Sequence, residues 1–294
     1  MAATWQRLGD AAGTVGVGVT RIHVDPERLS TPPHSHAASE ELVYVVGGSG
    51  LVWQDEAVFP VRAGDCVVFR ANEAEHTLRG GPDGLDVLVY GTRHPTDYGW
   101  LPRSNAVRLG WPWVEGRTDN PWDLEARAEP LDFSKVGERP ANVVHLDEVE
   151  GSYGGMSKAL AAAAGSEQTG LNWLRLEDGQ TGAPPHCHSE EEEVFVVLEG
   201  EGALELWPAP VAAERGIERE DVPVRTGDVI ARPPATRIGH AFRGGAGGMS
   251  LLVYGTRRPN DIAYYPRSNK IYWRGIGVMG RVEHLDYFDG EPRE

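Results

Sequence analysis

The segment PPHSH at Pro32–His36 returns as PPHCH at Pro184–His188, 152 residues further on. LVYGTR at Leu88–Arg93 and PRSN at Pro102–Asn105 return in the same order at Leu252–Arg257 and Pro266–Asn269, now 164 residues on. Ordered matches of this kind mark an internal duplication, and a duplicated chain folds as two like units. The offset grows by 12, and the extra residues are assigned to Trp207–Asp221, a turn- and charge-rich segment expected as a longer loop in the second copy. The 294 residues then divide into an N-terminal unit at 1–110, a linker at 111–140 and a C-terminal unit at 141–294. Each unit is long enough to bury a core.

Within each copy, short β-branched and aromatic runs alternate with turn signals. Glu41–Val46 precedes GGSG, followed by Cys66–Phe69 and Leu85–Tyr90; Val194–Leu198 precedes EGEG, followed by Val229–Ala231 and Met249–Tyr254. With 37 Gly and 21 Pro against 40% apolar residues, this spacing predicts short strands with tight turns, hence an all-β sandwich or barrel. The Ala-rich stretch Met156–Ala164 reads as a short helix or as a loop between glycines.

The formal charge is −16 and divides between the copies as −7 up to residue 146 and −9 beyond it. A nucleic-acid or anionic-membrane binder needs a basic face, so neither class of partner is expected. Apolar runs such as Val194–Leu198 are too short to cross a bilayer, and Met1–Asp10 has no signal-peptide character. Two cysteines, Cys66 and Cys187, make no disulfide framework. A soluble cytoplasmic protein is the expectation.

His34 and His36 are two apart, so an extended backbone turns both imidazoles to one face as a chelating pair. Glu41 lies an odd five residues beyond, which requires a turn or kink in the intervening AAS; Glu41, Val43 and Val45 then share a face. His76, from a later strand, is the fourth candidate. The second copy repeats the set as His186, His188, Glu193 and His240. Six of the ten histidines fall in these two sets. Three imidazoles and a carboxylate suit a divalent transition metal (Fe, Mn, Ni, Cu, Co or Zn), one per unit.

These residues resemble the cupin superfamily. Its first motif, G-x5-H-x-H-x3,4-E-x6-G, is matched at His34, His36, Glu41 and Gly48 and again at His186, His188, Glu193 and Gly200. The second motif, G-x5-P-x-G-x2-H-x3-N, is met less well: the second copy has Gly227, Pro233 and His240 with a longer Pro-to-His gap and no central Gly, the first has Gly64, Arg70 in place of the proline and His76 one residue late, and both lack the Asn. The resemblance implies a bicupin: two tandem jelly-roll β-barrels from an internal duplication, each with metal inside its mouth. It also implies that a monomer already holds the paired barrels that single-barrel cupins make by association, so a monomer or a homodimer is expected.

Other residues read more plainly. Cys187 alternates away from the histidines and reads as a packing residue. In the run Glu190–Glu193, the three glutamates before Glu193 read as a solvated turn. Arg79 and Arg243 fall on the strand face away from the metal. Arg93, Arg103, Arg257 and Arg267, in the repeated blocks, could hold a substrate carboxylate but more readily fasten the chain leaving each barrel. Trp53, Trp173 and Trp207 are candidates for a pocket wall, with core packing favoured for each.

Four protein ligands on a six-coordinate metal leave two positions for a chelating small-molecule substrate. The first functional expectation is a metal-dependent oxygenase (dioxygenase-like) acting on a diketone or aromatic diol. The others are a metal-dependent isomerase or decarboxylase and a non-catalytic small-molecule-binding cupin. Pro-Pro precedes both His-x-His pairs, where the cupin oxalate decarboxylases carry an arginine. The second site is expected to be the more functional one.

Overall fold

The computed structural model describes residues 2–109 and 120–292. Two seven-stranded antiparallel sheets dominate them. The first runs in the order Ala3–Gln6, Val17–Val24, His76–Thr92, Glu41–Gln54, Asp65–Phe69, Val143–His145, with Ala57–Arg62 also on Glu41–Gln54. The second runs Gly151–Ser152, Ser157–Lys158, Thr169–Leu176, Ile238–Thr256, Glu193–Pro208, Glu220–Arg225, with Val229–Arg232 also on Glu193–Pro208. Smaller sheets, Ser35–His36 with Tyr98–Leu101 and Ala106–Leu109, and Cys187–His188 with Ile262–Tyr265, Lys270–Trp273 and Val278–Arg281, complete two jelly-roll barrels.

The strands read as continuous apolar runs because both faces are buried. Val43 and Val45 point into the first barrel's interior core, and Phe195 and Val197 into the second's. The alternate residues Leu42, Tyr44, Val194 and Val196 enter a third core shared by both barrels. At its centre the fully buried rings of Tyr90 and Tyr254, equivalent residues of the repeat, stand 5.0 Å apart.

Several sequence expectations change here. The GGSG and EGEG segments do not end their strands. Glu41–Gln54 and Glu193–Pro208 pass through them with register shifts, because Gly48 (φ 75°) and Gly200 (φ 78°) take a left-handed conformation that bends the strand without breaking it. The Trp207–Asp221 loop contains a helical turn, Pro210–Ala213, and the first residues of Glu220–Arg225. The Ala-rich stretch forms the single turn Leu160–Ala163, with Leu160 and Ala161 buried in the shared core.

Of the segment expected as a linker, residues 111–119 lie outside the described residues. The remainder follows the first barrel: Gly137 N–H donates to Val58 O, and Arg139 pairs with Asp65. Val143–His145, expected in the second unit, adds a strand to the first sheet against Asp65–Phe69. No helix of the described residues is long and apolar enough to cross a membrane.

Candidate metal centres

The eight residues singled out by the repeat gather in two sets of four. The His-x-His segments are held on both sides. His34 and His76 exchange backbone hydrogen bonds (3.2 and 2.9 Å), as do His186 and His240 (3.2 and 2.9 Å). On the other side, His36 pairs with Gly99 and His188 with Ala263. Extended geometry turns both imidazoles of each pair to one face, and Glu41 and Glu193 enter the same space from the first residue of the long strands.

The two centres nearly superpose in geometry. The ring centroids of His34 lie 5.2 Å from His36 and 4.7 Å from His76, and the last two are 6.5 Å apart. In the second barrel the corresponding separations are 5.0, 4.8 and 6.4 Å. Glu41 lies 3.5 Å from His36 Nε2 and 3.3 Å from His76 Nε2. Glu193 Oε2 lies 3.3 Å from His188 Nε2, 2.8 Å from His240 Nε2 and 3.9 Å from His186 Nε2. The loop between Arg232 and His240 is one residue longer than that between Phe69 and His76, and it absorbs the difference through left-handed Ala235 and Arg237.

The outer nitrogens explain why the Nε2 atoms face inward. His34, His76 and His186 hold Nδ1 against the carbonyls of Pro32, Ala74 and Pro184 at 3.0, 3.1 and 2.8 Å. His36 and His188 hold theirs against Asp97 (2.9 Å) and Asp261 (2.7 Å). Each aspartate is fixed in turn: Asp97 accepts from the N–H of Ala38 and Ser39, and Asp261 from those of Glu190 and Glu191. Outer partners of this kind orient ligands and set their tautomers. Asp97 and Asp261 escaped the sequence reading, yet they share the 164-residue offset and lie between the repeated YGTR and PRSN blocks.

Electrostatics matches the arrangement. Burial, reinforced by neighbouring imidazoles, drives His34 down to about 3, and burial takes His240 to about 4, so both are neutral at pH 7. Burial would also lower His36 and His188, but the hydrogen bond to Asp97 or Asp261 and the nearby charge of the site glutamate outweigh it and raise both to about 10. Burial opposes the charge on Glu41 and Glu193; the facing histidines overcome it and hold both carboxyls well below the usual range. Each site without metal thus pairs a carboxylate with an imidazolium, and a bound cation would take the place of the proton on His36 or His188. In the second, His188 Nε2, His240 Nε2 and Glu193 Oε2 are buried close together without aligned hydrogen bonds. Polar atoms left unpaired in one buried spot are costly, and a bound cation would accept the lone pairs of the carboxylate and the imidazoles, so the residues fit a divalent metal.

Residues 20–87 match the cupin domain family model. Among solved structures the chain resembles oxalate decarboxylase from Bacillus subtilis (14% identity, 86% of this chain and 71% of that one, TM-score 0.57). It also resembles the 7S globulin of Momordica charantia (16%, 90% and 81%, 0.57) and procruciferin, an 11S globulin of Brassica napus (13%, 85% and 79%, 0.56). The likeness spans both barrels. The fold is a tandem pair of cupin-type jelly-roll barrels. At these identities the structural likeness establishes the fold. No curated protein matches the chain in sequence.

One reading of neighbouring residues is corrected. Glu191 and Glu192, expected in a solvated turn, are buried, and only Glu190 is exposed. Glu191 pairs with Arg274 and accepts from Arg258 N–H, while Glu192 crosses to the first barrel. A carboxylate group around His188 Nδ1 formed by Glu191 and Asp261 is therefore committed to protein donors and supports His188 from behind. The repeated arginines fasten the chain: Arg93 to Asp10 and Thr14 O, Arg257 to Ser166 O, and Arg103 to Glu125. Arg79 and Arg243 pair with Glu27 and with Glu205 and Asp221. Trp53 is core, and Trp173 packs against the shared core. Trp207 lies under the guanidinium groups of Arg219 and Arg267. Cys187 is buried, and its burial raises the thiol to about 11, in keeping with a packing role.

The outer aspartates give a direct prediction. Asp261→Asn removes the carboxylate hydrogen-bonded to His188 Nδ1 and is expected to weaken metal binding by the second barrel roughly 10- to 100-fold, read by competition with a chromogenic chelator. An unchanged affinity would remove Asp261 from the site.

Proposed function

We propose that this bicupin is a metalloenzyme with one divalent transition metal in each barrel, acting on a small chelating substrate. The observation that carries this reading is the pair of matching three-histidine, one-glutamate clusters, with inward-facing polar atoms that lack aligned hydrogen bonds in the second. His34, His36, Glu41 and His76 would hold one ion, and His186, His188, Glu193 and His240 the other. A metal held there supplies Lewis acidity and open positions for a ligand chelating through two oxygens, such as a diketone or aromatic diol. The surrounding chain fixes the imidazole tautomers through Asp97, Asp261 and the loop carbonyls, and excludes bulk water by burial. Our first reading of the reaction is oxygenation. Decarboxylation or isomerisation without net oxidation is the second, favoured by the cationic Arg232 beside the second centre.

The second site is proposed as the more functional one. The inserted segment leaves its long strand at the level of His240, where Leu206 pairs with that residue. It is tied down by Ala209 N–H to Arg237 O and by Trp207 against Arg267, which supports reading it as a cover for the barrel mouth.

The test is oxygen consumption by metal-loaded protein over diketones and aromatic diols. Substrate-dependent uptake supports oxygenation, and turnover without uptake selects the second reading. No turnover of any chelating substrate at full loading leaves a binding protein. His186→Ala is expected to cost at least tenfold more activity than His34→Ala, a tenfold change being about 1.4 kcal/mol of transition-state stabilisation. Equal losses would contradict the asymmetry.

A further inference from the structure

The two centres differ on one wall. In the first barrel the strand Asp65–Phe69 ends with Phe69 paired with Glu41, and in the second Val229–Arg232 ends with Arg232 paired with Glu193. Val67 and Phe69 lie in the first interior core, and Ile230 packs against the second. Alternation puts Arg232, two residues beyond Ile230, on that same interior face with Glu193.

Phe69 closes its wall with an apolar ring stacked on His76, centroids 3.8 Å apart and planes 3° apart. Arg232 brings a guanidinium to the equivalent wall. Its Nη2 donates to Ile238 O at 2.7 Å and lies 3.5 Å from Thr236 Oγ1, which holds the group without neutralising it. Its Nε is buried with no acceptor. Glu193 attracts it electrostatically, but no carboxylate among the described residues forms an ion pair with it. A buried guanidinium left short of acceptors is costly, whereas a planar carboxylate satisfies its fork of donors.

We propose that Arg232 is the carboxylate anchor of the second barrel, making that site selective for small acids bearing a hydroxyl or carbonyl next to the carboxylate. This rests on the reading of His186, His188, Glu193 and His240 as a metal centre that takes the ligand's oxygens. Phe69 gives the first site no such anchor, so the duplicated barrels discriminate between charged and uncharged ligands.

The experiment is calorimetric titration of the metal-loaded full chain with lactate and with its neutral counterpart 1,2-propanediol. Wild type, Arg232→Met and Arg232→Gln are compared, with metal content and melting temperature recorded for each. Lactate affinity is expected to fall roughly 10- to 100-fold in both variants, with diol affinity and metal content unchanged. Lactate binding within threefold of wild type in either folded variant, or no lactate binding by loaded wild type, overturns the anchor. If wild type takes up no metal, the metalloenzyme reading falls separately. The titration is then made on metal-free protein, where Arg232-dependent lactate binding supports the anchor and its absence overturns that too.

Discussion

Glu193→Ala is expected to strip metal from the second barrel while the first stays loaded. Glu193 lies within 4 Å of the Nε2 atoms of all three histidines of its set, and it supplies the only carboxylate among the four proposed ligands. Its loss removes both a ligand and the negative charge that offsets a divalent ion. Removing an outer partner costs 10- to 100-fold in affinity, so removing Glu193 itself is expected to cost more than 100-fold. Chelator competition on the variant would then show one tight site per chain. Two tight sites would mean that Glu193 is not a ligand.

The second large effect concerns the residue before the first-barrel ligand. Strand alternation sends Glu41 into its own barrel and Glu40 into the other one, where Glu40 is almost fully buried. It accepts hydrogen bonds from Ser166 Oγ, Glu167 N–H (2.9 Å), Gln168 N–H (3.1 Å) and Thr169 Oγ1 (2.9 Å). Glu192 returns the arrangement, accepting from Val15, Gly16 and Val17 N–H at 2.8, 2.5 and 3.1 Å. Hydrogen bonds to a buried charge contribute about 1.5–3 kcal/mol each, and deleting the acceptor leaves several donors unpaired. Glu40→Ala is therefore expected to lower unfolding stability by about 3 kcal/mol or more, seen as a lower urea midpoint. A loss below about 1 kcal/mol would show that the barrels are held by their shared apolar core alone.

How much of this was legible in the sequence follows from which interactions are local. The His-x-His pairs and their glutamates were readable because a period of two decides which side chains share a face, and the duplication made each set confirm the other. His76 and His240 were readable from the repeat even though the spacing before them differs, because the loop absorbs the extra residue away from the site. Asp97 and Asp261 act on the histidines only once distant strands pair, so no local pattern marks them. Glu192 read as part of an acidic turn and Glu40 drew no reading, because their donors lie more than 120 residues away. Arg70, standing where the motif has proline, gains a role only across the interface, where its Nε donates to Gly165 O. The strand bends at Gly48 and Gly200 read as ends because glycine signals both turns and bulges. Arg232 was passed over for arginines in the repeated blocks, although it stands where the first copy has Phe69.

The central claim is that each barrel binds one metal ion through its own three histidines and glutamate. Elemental analysis of protein purified without chelator or histidine tag tests it most directly, as metal per chain for wild type, His34→Ala and His186→Ala. The account predicts close to two equivalents of a divalent transition metal in wild type and one in each variant. Folded wild-type protein that carries no such metal and takes up none on reconstitution would contradict it.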